Sequence, residues 1–279
     1  MSDSRVSHTI LDYVKYIFLF IIIFISIGPL LWAFVSSFKS YSEINSSALS
    51  LPSTIRLKNY SDAFKYAPIA KFFMNSAVIV GFSILITSVC VSLCAYVVSR
   101  HTFMGRNIII ILISIALLLP AQALSQPLFV LLNTLSIFDT KRGLTLVYSA
   151  FGIPVTFFVL NSYYRTIPKE IEEAAYIDGA NFLKSFITVI IPLAKPGIVT
   201  AAILQFINTW NEFYFALMLT SGNTARTIPI ALNYYLGTFA NNYSALFAAV
   251  IITVLPTIVI FFIAQEQVVQ SLTAGAVVE

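Results

Sequence analysis

Six long apolar segments, separated by polar connections, dominate the hydrophobic pattern of the chain. Each has about 20 residues, the length that an α-helix rising about 1.5 Å per residue needs to cross a hydrocarbon core of about 30 Å. Because unpaired backbone groups cannot lie against lipid, each segment must satisfy its own hydrogen bonds as a helix. The pattern predicts transmembrane helices at about 16–36, 75–99, 107–132, 144–164, 197–219 and 244–264.

The composition of the chain is that of an integral membrane protein. Of its 279 residues, 58% are hydrophobic and 10% are charged, whereas soluble domains carry about 25% charged residues. The sequence shows no separate soluble segment and no internal repeat, so we expect one all-α transmembrane domain over residues 1–279. The net charge of +4 is scattered rather than arranged in a basic stripe, which argues against nucleic acid as a partner. No cluster of His, Cys and carboxylate residues suggests a metal site.

Three connections between the predicted helices are long enough to carry a function, namely 37–74, 165–196 and 220–243. Six helices place both termini on the same side of the membrane. The 16 Lys and Arg residues divide evenly between the two sides, so the bias of positive charge toward the cytoplasm does not fix the orientation.

The connection 165–196 contains a charged island in an otherwise apolar chain. Thr166 is predicted to cap a first short helix, because its hydroxyl can accept from free N–H groups. Gly179 follows the last turn of that helix, where a left-handed backbone favours glycine. Asn181 is predicted to cap a second amphipathic helix, which Pro192 ends. From the residues alone, the connection is either a loop in the lipid interface or a docking element for a partner protein.

The spacing within this connection closely resembles the EAA motif of ABC-importer permeases. Glu173-Ala174-Ala175 is followed after three residues by Gly179, and after nine more by Val189-Ile190-Ile191-Pro192. In that family the loop is cytoplasmic and fits into a cleft on the ATP-hydrolysing subunit. The resemblance therefore implies ATPase docking through the motif residues Glu173, Ala174, Ala175, Asp178, Gly179 and Pro192.

Further stretches resemble the carbohydrate-importing branch of this family, in particular its second, MalG-like maltose-permease subunit. They are Asn208–Phe213, Arg226–Ile230 and Leu272–Ala276. The similarity runs over nearly the whole chain and implies the type I importer fold (MetI-like, maltose permease-like), with six transmembrane helices. It also implies a multi-pass protein of the bacterial cell membrane with both termini cytoplasmic. The implied partners are a second, non-identical permease subunit, two ATP-binding subunits and an extracellular substrate-binding protein.

The chain lacks the GxxxxGK[ST] loop that holds ATP phosphates. We therefore expect no catalytic residues and no cofactor in this chain, with ATP and Mg²⁺ bound by the partner ATPase subunits.

Polar residues inside the predicted helices are candidates for the translocation pathway. Gln205, Asn208 and Glu212 share one face of the fifth helix, where an intramembrane carboxylate costs about 2.5–3.5 kcal/mol unless it faces a bundle interior or water. Interhelical hydrogen bonds that fix packing are an equal alternative. In the third helix, the polar stretch from Pro120 to Pro127 predicts either a simple kink or broken backbone beside a cavity. The full set of pathway candidates is Gln122, Gln126, Gln205, Asn208, Trp210, Asn211 and Glu212.

The resemblance also assigns a role to the connection 220–243. In the family this loop faces outward and reaches into the sugar cleft of the binding protein. Suitable side chains here are Asn233, Tyr234, Tyr235 and Asn241. The alternative is an ordinary cap that seals the helix bundle.

The favoured function is a permease subunit that forms half of the pathway for a di- or oligosaccharide. A permease for glycerol phosphate or an acidic sugar is the alternative within the family. A self-sufficient secondary transporter would require inverted repeats or paired intramembrane charges. A membrane-embedded enzyme would require clustered catalytic side chains. The sequence shows neither pattern, so both of these classes are disfavoured.

Overall fold

The structure, a computed structural model, describes residues 3–236 and 242–276, with side chains described over 13–236 and 242–266. These ranges contain thirteen α-helices. They are α1 (Asp3–Ser36), α2 (Tyr41–Ser46), α3 (Lys58–Tyr66), α4 (Ile69–Arg100), α5 (Arg106–Leu118), α6 (Ser125–Thr134), α7 (Lys141–Thr166), α8 (Lys169–Ile177), α9 (Phe182–Ser185), α10 (Ile191–Leu193), α11 (Lys195–Trp210), α12 (Tyr214–Leu219) and α13 (Tyr243–Ala276).

Four of these helices are long and apolar enough to cross a membrane. They are α4, α7, the part of α1 from Tyr13 and the part of α13 up to Glu266. The predicted first, second, fourth and sixth transmembrane helices lie within them. Two further bent pairs pass the same test when each is taken as one span, which gives up to six spans. They are Arg106–Leu118 with Ala121–Thr134, and Phe182–Leu193 with Lys195–Trp210. The second pair thus begins before the predicted fifth helix at 197–219 and ends within it.

The predicted third helix is two helices. The continuous helix expected at 107–132 is interrupted between α5 and α6 by a 3₁₀ turn, Ala121–Leu124. The two arms meet at 98°, a much larger change of direction than a kink. Pro120 explains the break, because a proline disfavours helical backbone at the residue before it, and Leu119 is extended with ψ of 126°. The alternative of a broken polar stretch is therefore correct.

The predicted fifth helix is also interrupted. α11 ends at Trp210, and α12 begins at Tyr214 after a turn that contains Glu212. The Glu212 carboxylate accepts from the backbone N–H groups of Phe215 at 2.8 Å and Ala216 at 3.0 Å. These are free N–H groups of the first turn of a helix, so Glu212 caps α12.

The helices group into two compact units. One is drawn from Met1–Ile69 and Ala231–Val254, and the other from Ala70–Ile230 and Leu255–Glu279. The expectation of a single domain over 1–279 stays a prediction.

In the first unit, the segment after α1 is held by hydrogen bonds of two charged side chains. Lys39 is fully buried, and its ammonium donates to the carbonyls of Ser47 at 3.3 Å and Ala48 at 2.8 Å. Glu43 closes a capping box with Ser40 and also accepts from Ser53. The hydrogen bonds from Ser53 and Ser40 lower the pKa of Glu43 to about 2.

The second unit contains two apolar clusters along the same long helices. The first cluster joins the C-terminal halves of α4 and α7 to α11 and to residues 186–194. The second joins the N-terminal halves of α4 and α7 to α6 and α12. Between them lie small polar residues, and Thr87 donates to the carbonyl of Ser149 at 3.0 Å. Small residues at these positions allow the close contact between α4 and α7.

Candidate functional site

Residues 165–196 form a bent series of short helices that starts where α7 ends. The expectation that Thr166 caps the first of them is wrong, because Thr166 is the last residue of α7. Its hydroxyl donates to the carbonyl of Tyr163 at 2.8 Å. Pro168 keeps the preceding Ile167 extended, with ψ of 125°. The start of the first short helix therefore lies two residues later than expected, and α8 begins at Lys169.

Gly179 forms the corner that the sequence predicts. Its φ is +83°, in the left-handed region that favours glycine. The N–H of Gly179 donates to the carbonyl of Tyr176 at 3.0 Å, and that of Ala180 donates to Ala175 at 2.9 Å. This pair of bonds is a Schellman motif, which satisfies the last carbonyls of α8. The predicted C-cap is confirmed.

The second short helix begins as predicted but ends differently. The Asn181 side chain accepts from the N–H of Lys184 at 2.9 Å, which confirms the predicted cap. The helix then widens into a π-helical turn at Phe186–Ile190 and continues through α10 to Leu193. Pro192 therefore lies inside α10 and does not end the helix. A proline has no N–H to donate to the carbonyl four residues before it, as a regular α-helix requires. In the π-helical turn just before Pro192, the backbone hydrogen bonds span five residues instead of four.

The loop presents most of the motif residues on its surface. Glu173, Ala174, Asp178, Gly179 and Pro192 are exposed, and Ala175 is half-buried. Exposed apolar side chains accompany them, and Ile177 is 86% exposed. The others are Ile171, Leu183, Ile187 and Leu193. We call these motif and apolar residues the docking surface. Exposed apolar groups of this density are typical of interaction sites.

Glu172, next to Glu173 on α8, is buried, with 5% exposure. Its carboxylate accepts hydrogen bonds from the hydroxyls of Tyr96 and of Tyr176, the latter at 3.1 Å. Nε of Arg100 lies 3.3 Å from Oε2, close enough for an ion pair but without hydrogen-bond geometry. We call Tyr96, Arg100, Glu172 and Tyr176 the Glu172 cluster. Partial burial and the bond to Glu172 raise the pKa of Tyr176.

Sequence reasoning missed this cluster. Ile171 and Ala174 share the apolar face of α8, yet both are exposed and Glu172 is the residue that faces inward. A helical wheel favours the apolar residue as the buried one. Two of its partners, Tyr96 and Arg100, lie 76 and 72 positions away in the chain, and they help to make burial of the carboxylate favourable.

A cavity of about 250 Å³ lies in the second unit, where α7 and α11 meet the two helix breaks. Four of the seven predicted pathway residues line it, namely Gln122, Gln205, Asn208 and Glu212. Aromatic side chains supply much of the remaining wall, namely Tyr148, Phe151, Tyr214 and Phe215. The two broken helices thus border one polar and aromatic cavity.

Gln205 is buried on the cavity wall with an unsatisfied acceptor. Its Nε2 donates to Thr87 Oγ1 at 2.9 Å and to the carbonyl of Ser83 at 3.3 Å. Because a carbonyl only accepts, this contact fixes the orientation of the amide. Oε1 is then a buried acceptor without a hydrogen bond. Gly152 makes room for this amide, since a Cβ there would lie 2.5 Å from Nε2.

Glu212 is well satisfied although it borders the cavity. Besides capping α12, it accepts from the hydroxyl of Tyr148 at 2.6 Å. Its charge is therefore stabilised by N–H groups and a phenol rather than by a cation.

The other three pathway candidates do not line the cavity. Trp210 is buried and packs on Phe206 and Phe73, with ring centroids 5.3 Å away in both cases. Asn211 is exposed and donates back to the carbonyl of Ile207 at 2.8 Å. Gln126 is exposed on α6. In this structure Trp210 therefore contributes to packing.

The start of the connection 220–243 is anchored within the second unit. Asp139 accepts from the N–H groups of Ser221 and Gly222 at 2.9 and 3.1 Å. Asn75 donates to the carbonyl of Arg226 at 2.9 Å. Burial tends to raise the pKa of Asp139, but the bonds from Gly222 and Ser221 outweigh it, so this pKa lies below its ordinary value.

The candidate contacts for the binding protein divide by exposure. Asn233 and Tyr234 are exposed. Tyr235 is 1% exposed, and its hydroxyl donates to the carbonyl of Ala63 at 2.6 Å. This burial contradicts a direct contact through Tyr235, which instead ties the connection to α3. Asn241 lies outside the described residues.

Comparison with known proteins identifies the class of this chain. Residues 88–274 match the family described as binding-protein-dependent transport system inner membrane component. This match covers more than half of the chain, so the chain belongs to that family. It is a multi-pass membrane subunit of an ABC transport system with the type I permease fold.

Individual relatives agree with this class. The diacetylchitobiose uptake system permease protein NgcG of Streptomyces coelicolor is 36% identical over 253 residues, which cover 90% of this chain and 84% of the relative. The trehalose transport system permease protein SugB of Mycobacterium tuberculosis is 36% identical over 254 residues, which cover 89% of this chain and 91% of the relative. The crystal structure of a bacterial importer of the acidic polysaccharide alginate matches with a TM-score of 0.82 at 21% identity, over 93% of this chain and 97% of that one. This last likeness concerns the fold.

Proposed function

We propose that the chain is a permease subunit of an ATP-driven sugar importer and forms half of its translocation pathway. The observation that carries this proposal is the orientation of α8, since the motif residues Glu173 and Ala174 within it and Asp178 directly after it are exposed. In a member of this family, such a surface fits the cleft of an ATP-hydrolysing partner. Relatives named for diacetylchitobiose and trehalose transport support a di- or oligosaccharide as substrate.

The docking surface would bind one of two ATPase subunits on the cytoplasmic side. Small residues at Ala174 and Gly179 allow close approach, and Glu173 offers a carboxylate to a partner's guanidinium. The apolar side chains around them, Ile177 above all, would lose their contact with water on docking. Both termini would then lie on the cytoplasmic side as well, and ATP and Mg²⁺ would stay on the partner subunits.

The cavity would form this subunit's share of the sugar pathway. Its mixture of aromatic rings and amide groups suits a sugar, which has apolar ring faces and hydroxyl edges. Oε1 of Gln205 would accept from a sugar hydroxyl. A volume of 250 Å³ is slightly below the roughly 300–1,000 Å³ of complete ligand sites. A second, non-identical permease subunit would therefore supply the rest of the pathway.

The cavity favours a neutral sugar over glycerol phosphate or an acidic sugar. Among the described residues that line it, there is no Lys or Arg, and Glu212 adds a carboxylate. An anionic substrate would meet repulsion here without a compensating cation.

The connection 220–243 would face outward, toward the extracellular binding protein. Exposed Asn233 and Tyr234 are its candidate contacts, with Asn241 as a further one from the sequence. The anchors at Asp139 and Asn75 would hold the start of this connection, residues 221–226, in position.

Reconstitution tests the proposed function. The chain is co-purified with the second permease, the ATPase subunits and the binding protein, and ATP hydrolysis in proteoliposomes is measured with a panel of sugars. We expect hydrolysis and uptake to rise with a neutral di- or oligosaccharide. Stimulation by sugar phosphates or uronates alone would favour the anionic alternative. Uptake by the purified chain without any ATPase would overturn the proposal.

A further inference from the structure

Two adjacent glutamates in α8 have opposite environments. Glu173 is exposed on the docking surface, whereas Glu172 is 5% exposed and faces the long helices. A buried carboxylate is costly unless it is paired and hydrogen-bonded. The Glu172 cluster meets both requirements with two phenol hydroxyls and a guanidinium.

The Glu172 cluster connects three helices. Tyr96 and Arg100 belong to the last turns of α4, and Glu172 belongs to α8. Nη2 of Arg100 also donates to the carbonyl of Ile167 at 2.7 Å, at the end of α7. The side chain of Arg100 is 4% exposed, so solvent does not screen these contacts. α8 is thus fixed by polar contacts to the ends of two long helices.

Aromatic packing extends this connection to the rest of the loop. The ring of Tyr96 stacks on Phe186 with centroids 4.8 Å apart and lies 5.5 Å from Phe182. The Tyr96 ring also lies 5.7 Å from that of Tyr164 of α7. A displacement of the 165–196 loop would therefore be transferred to α4 and α7, because packed cores do not deform continuously.

We propose that Glu172 is a positioning residue that transmits movement of the docked loop to α4 and α7 through Tyr96 and Arg100. This inference rests on the proposed function, since it requires an ATPase at the docking surface. Glu173 and its neighbours would bind the partner, and Glu172 would transmit the movement of the loop to α4 and α7. The two roles are separable because the carboxylate of Glu172 is buried and that of Glu173 is exposed.

The experiment separates transmission from docking and from stability. Glu172→Gln keeps the size of the side chain but leaves the guanidinium of Arg100 without its counter-charge, which by itself lowers stability. The double variant Glu172→Gln with Arg100→Gln removes both charges and leaves no unpaired buried ion. Glu170→Gln, at an exposed position on the same helix, is the matched control.

Each variant is purified with the ATPase subunits and reconstituted with the sugar-loaded binding protein. Three quantities are measured per assembled complex: the amount of ATPase retained, the rate of ATP hydrolysis, and the sugar taken up per ATP hydrolysed. For the double variant we expect normal ATPase retention and a ratio of uptake to hydrolysis that falls about tenfold. Glu170→Gln should match the wild type in all three.

A wild-type ratio in the assembled double variant would overturn the inference and leave Glu172 as a stabilising residue only. If the double variant does not assemble, Tyr96→Phe decides, because it removes one hydroxyl and keeps the ring. A reduced ratio with normal retention then supports transmission, and a wild-type ratio overturns it. Failure of the wild-type chain to retain any ATPase would instead overturn the proposed function itself.

Discussion

Glu172 and Glu212 both accept a hydrogen bond from a tyrosine of a long helix, but their other partners differ. Glu172 accepts from Tyr96 and is paired with Arg100. Glu212 accepts from Tyr148, and its remaining partners are backbone N–H groups of the helix that it caps. The carboxylate of Glu172 connects separate helices. That of Glu212 stabilises the turn between α11 and α12 and borders the cavity.

The difference shows how a membrane protein accommodates a carboxylate for two purposes. A cation on another helix creates a fixed connection, which suits a mechanical contact between loop and bundle. N–H groups of the following helix satisfy the charge locally, so the neighbouring cavity keeps polar groups free for a ligand. We therefore expect changes around Glu172 to affect coupling to the ATPase, and changes around Glu212 to affect passage of the sugar.

The largest effect is expected from Gly179→Arg in the docking surface. A side chain there points into open space, since no atom lies within 4 Å of an added Cβ. The strain of its left-handed backbone is about 1 kcal/mol, so the chain should still reach the membrane. Uptake should fall to near zero because the arginine projects into the partner. Sugar uptake and the membrane level of the chain are measured together.

Gly105→Arg is the matched control for Gly179→Arg. Gly105 also has a positive φ, of +98°, and open space around an added Cβ. We expect the Gly105→Arg variant to retain sugar uptake. Wild-type uptake in Gly179→Arg, or an equal loss in both variants, would count against a docking role for the 165–196 loop.

The next effect concerns the cavity. Gly152→Val would place its Cβ 2.5 Å from Nε2 of Gln205 and force that amide to move. We expect uptake to fall severalfold while the ATPase is still retained. Gly81→Val is the control, because Gly81 has open space around it. Loss of ATPase retention in Gly152→Val would remove the distinction between the two regions.

A smaller effect is expected at Glu212. Glu212→Ala removes the cap of α12, at a cost of about 1 kcal/mol, and leaves the Tyr148 hydroxyl without its acceptor. Glu212→Gln keeps an acceptor and should be milder. Uptake and the thermal unfolding temperature are compared for both. Unchanged transport in Glu212→Ala, with an intact complex, would reduce this residue to a packing role.

The smallest effect is a pH dependence at Asp139, which stabilises a connection and touches neither region. Its pKa is lowered in the folded chain. Its stabilisation should therefore be fully present above the ordinary carboxyl pKa of about 3.9 and disappear as the pH falls through the lower folded value. The unfolding temperatures of wild type and Asp139→Asn should converge in that acidic range. A difference that stays constant with pH would contradict this account.

Local features of the chain were predictable from sequence, and long-range ones were not. The corner at Gly179 and the cap at Asn181 depend on bonds within four or five residues, so the sequence contains the whole signal. The burial of Glu172 and of Tyr235 depends on partners far along the chain, Tyr96 and Ala63 respectively. No periodicity in one segment encodes such contacts.

The two helix breaks show the same distinction. Pro120 marks the first break directly, and only its angle of 98° could not be read from the residues. The second break, after Trp210, contains neither proline nor glycine. Its cause is the capping of α12 by Glu212, supported by Tyr148 on another helix. An acidic residue two positions before Tyr214 was the available signal, but it also fitted a continuous helix with a polar face.

The most direct test of the account is the accessibility of the docking surface. Ile177→Cys is introduced into a chain whose native Cys90 and Cys94 are replaced, and a membrane-impermeant thiol reagent is applied to intact cells and to inverted membrane vesicles. The account predicts labelling in inverted vesicles only, with protection when the ATPase subunit is bound. Labelling in intact cells, or labelling that the bound ATPase leaves unchanged, would contradict it.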